Sequence, residues 1–199
     1  RGDVDRADGQ VASGCRERRD HDMTIDDLPR KALKRVERTF AFLDISGFTA
    51  YTDREGDAAA YDVIRNFRNV VRQVASERGV RMAKWLGDGA MMVGVHSEDL
   101  VEAVIDIERL VDYTQSPRPM RAGIARGPVL LIDGDDHVGR AVILASRLCD
   151  RAKPHEILAQ VGTVNLEMVN AEAAPLGCHE IPGFVEPIDL VRLTPVGDS

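Results

Sequence analysis

The sequence is poor in cysteine and has no long apolar run. Its 199 residues include three cysteines, Cys15, Cys149 and Cys178, and no two of them form a CxxC pair. Disulfide scaffolds and structural zinc sites need more cysteines at closer spacing, so both classes are excluded. No uninterrupted apolar run approaches the roughly 18 residues that span a bilayer, so we expect no membrane insertion. The few scattered cysteines fit a reducing compartment, and we therefore predict a cytoplasmic protein.

The sequence also lacks an excess of positive charge. It has 26 Lys and Arg residues against 33 Asp and Glu residues, which gives a formal net charge of -7 at pH 7. This balance argues against general nucleic-acid binding, since the phosphate backbone attracts basic surfaces. Hydrophobic residues make up 44% and charged residues 30% of the chain, which is ordinary for one globular domain of roughly 150 to 200 residues.

Neither end of the chain shows the apolar periodicity of a folded core. Residues 1–22 carry 11 charged side chains and almost no apolar ones, a composition that cannot offset the entropy cost of ordering. We predict a disordered tail at 1–22, a helical lead-in at 23–38, one globular domain at 39–193 and a short tail at 194–199. Met23 is a candidate start residue, which leaves open whether residues 1–22 are native.

Between residues 39 and 193, hydrophobic periodicity predicts alternating strands and helices. The predicted strands are 39–44, 80–86, 90–95, 120–125, 128–133, 156–160, 176–181 and 185–193. The predicted helices run from Asp57 to Arg78, from Ser97 onward and from Gly139 to about Asp150, with a further short helix among the last strands. Strand, helix, hairpin, helix, strand is the order of a ferredoxin-like βαββαβ core in the α+β class, here with C-terminal additions.

The predicted hairpin contains the segment Gly87-Asp88-Gly89 between two apolar runs. Asp-Gly in this setting predicts a type I′ turn, because both residues tolerate a positive φ angle. A second interpretation is that Asp88 lies beside Asp44, which ends the first strand, at one end of the sheet. Two carboxylates are the hard ligands that Mg²⁺ on a nucleoside triphosphate requires. Taken one at a time, a helix cap at Asp44 and a turn at Asp88 are the simpler explanations.

Five segments, taken together, resemble the catalytic domains of class III adenylyl/guanylyl cyclases. They are FAFLDISGFTAYTDREGD, KWLGDGAMMVGV, MRAGIARGPVLL, DHVGRAVILASRL and GFVEPIDLVRL, in the family's order and spacing. The resemblance covers about residues 39–193. It implies the class III nucleotidyl cyclase fold, ATP as substrate, two Mg²⁺ or Mn²⁺ ions per site and a homodimer with two equivalent interface sites.

The resemblance also implies which residues hold the metals and the triphosphate. Asp44, Asp88 and the backbone of Ile45 match the metal-binding positions of the family. Phe48 and Thr49 lie in the segment that matches the loop around the triphosphate. Oriented N–H groups at a strand-to-helix turn suit phosphate binding.

Four further positions match the family's remaining substrate contacts. Arg121 matches an arginine that contacts phosphate, and Arg147 matches the arginine that stabilises charge on the α-phosphate in the transition state. Lys84 and Asp136 match the pair that reads adenine, where a guanine-specific site has Glu and Cys. Spacing alone selects Asp136 over the neighbouring Asp135. In the family the metal aspartates and the phosphate arginine come from one chain, and the other three residues come from its partner.

Two departures from the family pattern lie in the same region. Ile143 replaces an asparagine that orients the ribose, and Pro182 replaces a lysine that contacts the terminal phosphates. The resemblance therefore implies an adenylyl cyclase that makes cyclic AMP and pyrophosphate with reduced activity. The alternative is a catalytically degenerate domain that binds nucleotide or a partner and acts in regulation. An interaction module with no nucleotide site would make six matched polar positions coincidental.

Overall fold

The structure, a computed structural model, describes residues 34–134, 136–164 and 170–196. The strands are β1 (Lys34–Ile45), β2 (Arg81–Leu86), β3 (Gly89–Gly94), β4 (Met120–Ile132), β5 (Asp136–Val138), β6 (Ile157–Gln160), β7 (Ala171–His179) and β8 (Ile188–Pro195). The helices are α1 (Phe48–Glu55), α2 (Asp57–Glu77), α3 (Ser97–Tyr113) and α4 (Arg140–Arg151). This mixed architecture confirms the predicted α+β class. The predicted tail at 1–22 lies outside the described residues.

The strands form one sheet in the order β2-β3-β1-β4-β6-β8-β7, with β5 paired to β4. The central strand β1 runs antiparallel to both β3 and β4. Strands β4 and β6 are parallel, and α4 forms the crossover that a parallel pair requires. The ends of β1, β3 and β4 therefore meet at one edge of the sheet, where the candidate site lies.

Helices cover both faces of the central sheet. Helices α2 and α3 pack on one face around a core that includes Val71, Leu100 and Ile105, all fully buried. Helix α4 packs on the other face, against β4 and β1. A Cβ atom added at Gly123 of β4 would lie 2.2 Å from the backbone N of Cys149. Only glycine therefore allows α4 to approach β4 this closely.

Two strands are longer than the sequence predicted. Strand β1 begins at Lys34, so residues 34–38 are extended and not part of a helical lead-in, while residues 23–33 lie outside the described residues. Strand β4 is continuous, although two strands split at Arg126-Gly127 were predicted. The reason is the same in both cases, because β1 and β4 pair along their whole length from Lys34 opposite Leu131 to Ile45 opposite Met120.

The C-terminal additions also differ in their limits. Strand β7 begins at Ala171 instead of residue 176, and β8 extends to Pro195, into the predicted tail at 194–199. These two strands pair with each other, which extends both beyond their apolar segments. The predicted short helix among these strands has no counterpart in the described residues after Arg151, and residues 165–169 lie outside the described residues. Within the described part of the chain, no helix is both long and apolar enough to cross a membrane.

Glycines set the helix limits near the site. The sequence predicted one helix after β1, whereas the structure has two, α1 and α2, separated at Gly56 with φ 85°. Helix α2 ends as predicted, with Gly79 in the left-handed region at φ 65°. The N–H of Val80 donates to the carbonyl of Ala75 at 2.9 Å, which is the bond of a Schellman motif.

The hairpin between β2 and β3 is confirmed, but its turn is not the predicted one. The two loop residues are Gly87 and Asp88, and Gly87 alone of these has a positive φ, 69°. Gly89 is the first residue of β3 and pairs with Asp44. A Cβ atom at Gly89 would lie 2.6 Å from the carbonyl O of Leu43. Position 89 therefore requires glycine because β3 approaches β1 closely there, and not because of a type I′ turn.

Candidate functional site

Asp44 and Arg121 lie directly opposite each other on β1 and β4. Residues opposite in an antiparallel pair share a face of the sheet, here the face that α4 covers. The Nε of Arg121 donates to Oδ2 of Asp44 at 2.8 Å, and a second guanidinium nitrogen lies 2.7 Å from the same oxygen. Each side chain is 28% exposed. The structure therefore joins a predicted metal ligand to the predicted phosphate-binding arginine in one partly buried ion pair.

The surroundings of this ion pair disfavour the charged form of the Asp44 side chain. Burial, together with the charges of Asp88 and Asp150, raises the pKa of Asp44 above its ordinary value, and the hydrogen bond and charge of Arg121 offset this only in part. Burial alone would lower the pKa of Arg121, but the hydrogen bond and charge of Asp44 raise it. Three carboxylates thus act on one location, which is the electrostatic setting that favours a bound cation.

Asp88 lies in the two-residue loop beside Gly89, which pairs with Asp44. Its charge acts on Asp44, so the structure brings the two predicted metal-binding carboxylates into one electrostatic environment. Among the described residues, no group of three or more His, Cys, Asp or Glu side chains is arranged around a metal position. Two carboxylates and the nearby backbone of Ile45 are hard oxygen donors that fit Mg²⁺ or Mn²⁺ when phosphates and water complete the shell.

The turn from β1 into α1 consists of Ser46 and Gly47. The N–H of Ser46 donates to the carbonyl of Pro119 at 2.8 Å, and the Nε of Arg118 donates to the carbonyl of Ser46 at 2.7 Å. Gly47 has φ 68°, and α1 begins after it at Phe48. Because the first N–H groups of a helix have no acceptor within the helix, those at Phe48 and Thr49 suit an anion.

Lys84 and Asp136 form a second ion pair. The Nζ of Lys84 donates to Oδ1 of Asp136 at 2.8 Å, and both side chains are about half exposed, at 49% and 50%. The hydrogen bond from Lys84 and then that from the backbone N–H of His137 lower the pKa of Asp136. The sequence selected Asp136 by spacing alone, and the structure pairs this residue with Lys84. Asp135 lies outside the described residues.

Arg147 lies on the exposed side of α4, with a guanidinium nitrogen 3.5 Å from Oδ2 of Asp150 and 51% of its side chain exposed. Ile143 precedes it by one helical turn and is 53% exposed. The predicted common helix face of these two residues is therefore present. Pro182 is exposed in the segment between β7 and β8.

Asp150 is a site residue that the sequence reasoning missed. Its side chain contacts Arg147 and its carbonyl O accepts from Nη1 of Arg121 at 3.1 Å. It also acts electrostatically on Asp44. An acidic residue three positions after Arg147 was the available signal, because i,i+3 pairs share a helix face. The link to Arg121 depends on tertiary packing.

The chain shares sequence with longer bacterial proteins, although no protein-family model matches it. It is 37% identical over 118 residues to an uncharacterised protein of Mycobacterium tuberculosis, covering 59% of this chain and 31% of that protein. It is 28% identical over 142 residues to an adenylate cyclase of Streptomyces coelicolor, covering 70% of this chain and 37% of that protein. The chain therefore spans about a third of the length of the curated relatives that it matches.

The structure also superimposes on solved cyclases. An adenylyl cyclase from P. aeruginosa matches with a TM-score of 0.71 and 25% identity, covering 84% of this chain and 96% of that chain. The guanylate cyclase domain from Catenaria anguillulae, solved in complex with GTP, matches with a TM-score of 0.70 and 22% identity, covering 81% and 98%. The chain thus has the fold of the class III adenylyl/guanylyl cyclase catalytic domains, which confirms the resemblance of its motifs to that family and supports a nucleotide cyclase.

Proposed function

We propose that this chain is an adenylyl cyclase that converts ATP to 3′,5′-cyclic AMP and pyrophosphate at a homodimer interface. The observation that carries the proposal is the cluster of Asp44, Asp88 and Arg121 at one edge of the sheet. Two carboxylates beside a guanidinium match the needs of a metal-bound triphosphate, with opposite charges for the cation and for the phosphates.

The ion pair between Asp44 and Arg121 suggests how ATP and a metal ion bind, since the phosphates can replace Asp44 on Arg121 and the metal can replace Arg121 on Asp44. The phosphates of ATP compete with the carboxylate for the guanidinium, because both are anionic acceptors for its N–H groups. Release of Arg121 then frees the Asp44 oxygens as ligands. Asp44, Asp88 and the backbone of Ile45 would hold a Mg²⁺ or Mn²⁺ ion, which would supply Lewis-acid polarisation of the phosphates.

Lys84 and Asp136 supply the proposed adenine specificity. The ammonium group is a donor for a ring nitrogen, and the carboxylate is an acceptor for the exocyclic amine. Because guanine presents a carbonyl where adenine presents this amine, the Asp136 carboxylate would face an acceptor and disfavour GTP. In the free chain the two groups satisfy each other through the 2.8 Å ion pair, so a purine has to separate or bridge them.

Arg147 acts in the proposed reaction as a fixed positive charge. The ribose 3′-hydroxyl attacks the α-phosphate, the bond to the bridging oxygen breaks, and pyrophosphate leaves. Negative charge grows on the α-phosphate oxygens during this step, and a guanidinium aimed at them lowers the barrier. Arg147 is half exposed and contacts only the exposed Asp150 within the described part of the chain, so it can reach a nucleotide bound by the partner subunit.

In the proposed homodimer, the second copy packs on the sheet face that carries Asp44, over the part that α4 leaves exposed. Leu86 pairs with Gly89, which pairs with Asp44, so its side chain lies on the same face as Asp44. It is 43% exposed, and Phe42 on that face is half-buried. Exposed apolar side chains beside the cluster of Asp44, Asp88 and Arg121 favour binding of a protein partner. A partner copy would bring its own Lys84, Asp136 and Arg147 to this cluster.

A regulatory domain that binds nucleotide without turnover is the second candidate, favoured by Ile143. The side chain is 53% exposed on the face of Arg147, and it offers no hydrogen bond to a ribose. By analogy with the loss of one transition-state donor, this costs on the order of 10² to 10³ in rate. Such a loss slows catalysis but does not change the reaction type.

The test is to incubate pure protein with ATP or with GTP, in Mn²⁺ and in Mg²⁺, and to quantify cyclic AMP and cyclic GMP by mass spectrometry. We expect cyclic AMP in excess. Cyclic GMP in excess would contradict the role of Lys84 and Asp136. Nucleotide binding without either product would favour the regulatory candidate.

A further inference from the structure

The hairpin that carries Asp88 is tied to helix α2 by stacked side chains. Trp85 of β2 is the only tryptophan of the chain. The guanidinium carbons of Arg68 and Arg72, both on α2, lie 5.0 Å and 5.2 Å from the centre of its ring. These are cation–π distances. The two arginines are one helical turn apart and hold the tryptophan from the same helix.

Arg68 alone of these two arginines also reaches the turn. Its Nη2 donates to the carbonyl O of Gly87 at 3.1 Å, one residue before Asp88. Its Nε atom is buried without a hydrogen-bond partner among the described residues, so the bond to Gly87 and the stack on Trp85 are the contacts that orient the guanidinium. Among the contacts of the described residues, Arg72 has the stack on Trp85 but no hydrogen bond to the hairpin.

The hairpin needs such a restraint because of its place in the sheet. Within the described part of the chain, strand β2 is the outermost strand on its side of the sheet and pairs with β3 alone. Its register shifts between Met82 and Lys84, which interrupts the pairing before the turn. Gly87 itself adds flexibility, since glycine populates more backbone conformations than other residues. After this shift the residues from Lys84 to Leu86 pair with β3 up to the turn, and the bond from Arg68 ties the turn itself to α2.

We propose that Arg68 is a positioning residue for Asp88: through its hydrogen bond to the Gly87 carbonyl it fixes the turn so that the Asp88 carboxylate is presented to a divalent cation. This inference rests on the proposed function, because it assumes that Asp88 binds metal. Arg68 does not touch the metal or the nucleotide.

Loss of positioning and loss of positive charge predict opposite changes in the affinity of the site for a divalent cation. Removing a positive charge near a cation site should tighten cation binding, and it should do so for Arg68 and Arg72 alike. Loss of positioning should weaken binding, and only when the bond to Gly87 is lost. Arg72→Met is therefore a matched control for Arg68→Met, because both changes remove one charge and one cation–π contact of the same tryptophan.

The test is a titration of the full chain with Mn²⁺ alone, in which the electron paramagnetic resonance signal of free Mn²⁺ gives the dissociation constant. We expect Arg68→Met to raise this constant about three- to tenfold, the net worth of one ordinary solvent-exposed hydrogen bond. We expect Arg72→Met to leave it unchanged or lower it. Arg68→Lys, which keeps a charge and a donor, should recover part of the affinity. Trp85 fluorescence should change in both Met variants, showing that both stacks were disturbed.

Three results would overturn the proposal. Equal constants for Arg68→Met and wild type, with binding lost in Asp88→Asn, would leave the metal site standing and remove the role of Arg68. Equal weakening in Arg68→Met and Arg72→Met would assign the effect to the stack on Trp85 instead of the bond to Gly87. Wild-type binding no tighter than that of Asp88→Asn would overturn the metal site and this inference together.

Discussion

The packing of α4 on β4 predicts a large difference between two Gly→Ala substitutions on the same strand face. A Cβ atom at Gly123 would lie 2.2 Å from the N of Cys149 and 2.3 Å from the O of Ala145. Both contacts are with backbone atoms, so the helix itself has to move by about 1 Å to restore ordinary contact. At Gly127 the nearest atom is the Cβ of Ala141 at 3.4 Å, and little has to move.

The expected cost follows from these distances. Overpacking of a tight core costs about 1–3 kcal/mol, and Gly123→Ala should be at the upper end because no flexible side chain can yield. For a domain of this size, about 3 kcal/mol lowers the melting temperature by roughly 6–12 °C. Gly127→Ala should be neutral or raise stability by up to about 1 kcal/mol, because alanine reduces the entropy of the unfolded chain.

The same shift should reduce catalysis. Arg147 and Asp150 both lie on α4, and a displacement of about 1 Å at a reacting centre can cost about 100-fold in rate. Thermal melts followed by circular dichroism and turnover assays at low temperature, where both variants are folded, separate the two effects. If Gly123→Ala and Gly127→Ala melted within about 1 °C of each other, the described approach of α4 to β4 would be wrong.

Three further predictions concern the site and its surroundings. Inactive Asp44→Ala and Lys84→Ala proteins, mixed and allowed to exchange, should regain activity in heterodimers with one intact site; demonstrated exchange without recovery would contradict a shared site. Ile143→Asn should raise turnover about tenfold or more by restoring a ribose contact, and a folded, dimeric variant that binds ATP without making cyclic AMP would favour the regulatory candidate. At pH 8, iodoacetamide should label the exposed Cys178 but not Cys149. Burial raises the pKa of Cys149 to about 12, so only about one thiol in 10⁴ is ionised, and equal labelling rates would contradict this.

The fold could be predicted from the sequence wherever local chemistry determines it. The apolar spacing of α2 and its terminal Gly79 predicted that helix almost to the residue. The hairpin was predicted from Asp88-Gly89 between two apolar runs, but the positive φ angle lies at Gly87 and not in a type I′ turn. The extension of β1 to Lys34 was not predicted, because residues 34–38 gain their extended form from pairing with β4, which no local pattern encodes.

The site residues, like the fold, could be predicted from the sequence only in part. The resemblance selected Lys84 and Asp136, 52 positions apart, and the structure brings them within 2.8 Å. The links from Asp150 to Arg121 and from Arg68 to the turn were not visible in the sequence, because each passes through a backbone carbonyl. A carbonyl is present at every residue, so sequence carries no signal for which one will accept. Their contacts arise only when α4 and α2 pack on the sheet.

The central claim is that the carboxylates at the edge of the sheet make this chain a metal-dependent adenylyl cyclase. The most direct measurement is the release of cyclic AMP and pyrophosphate from ATP and Mn²⁺ by wild type, Asp44→Ala and Asp88→Ala, each shown to be folded and dimeric. The account predicts equal amounts of the two products from wild type and none above background from either variant. Full activity in either variant, or no cyclic nucleotide from the folded wild type, would contradict it.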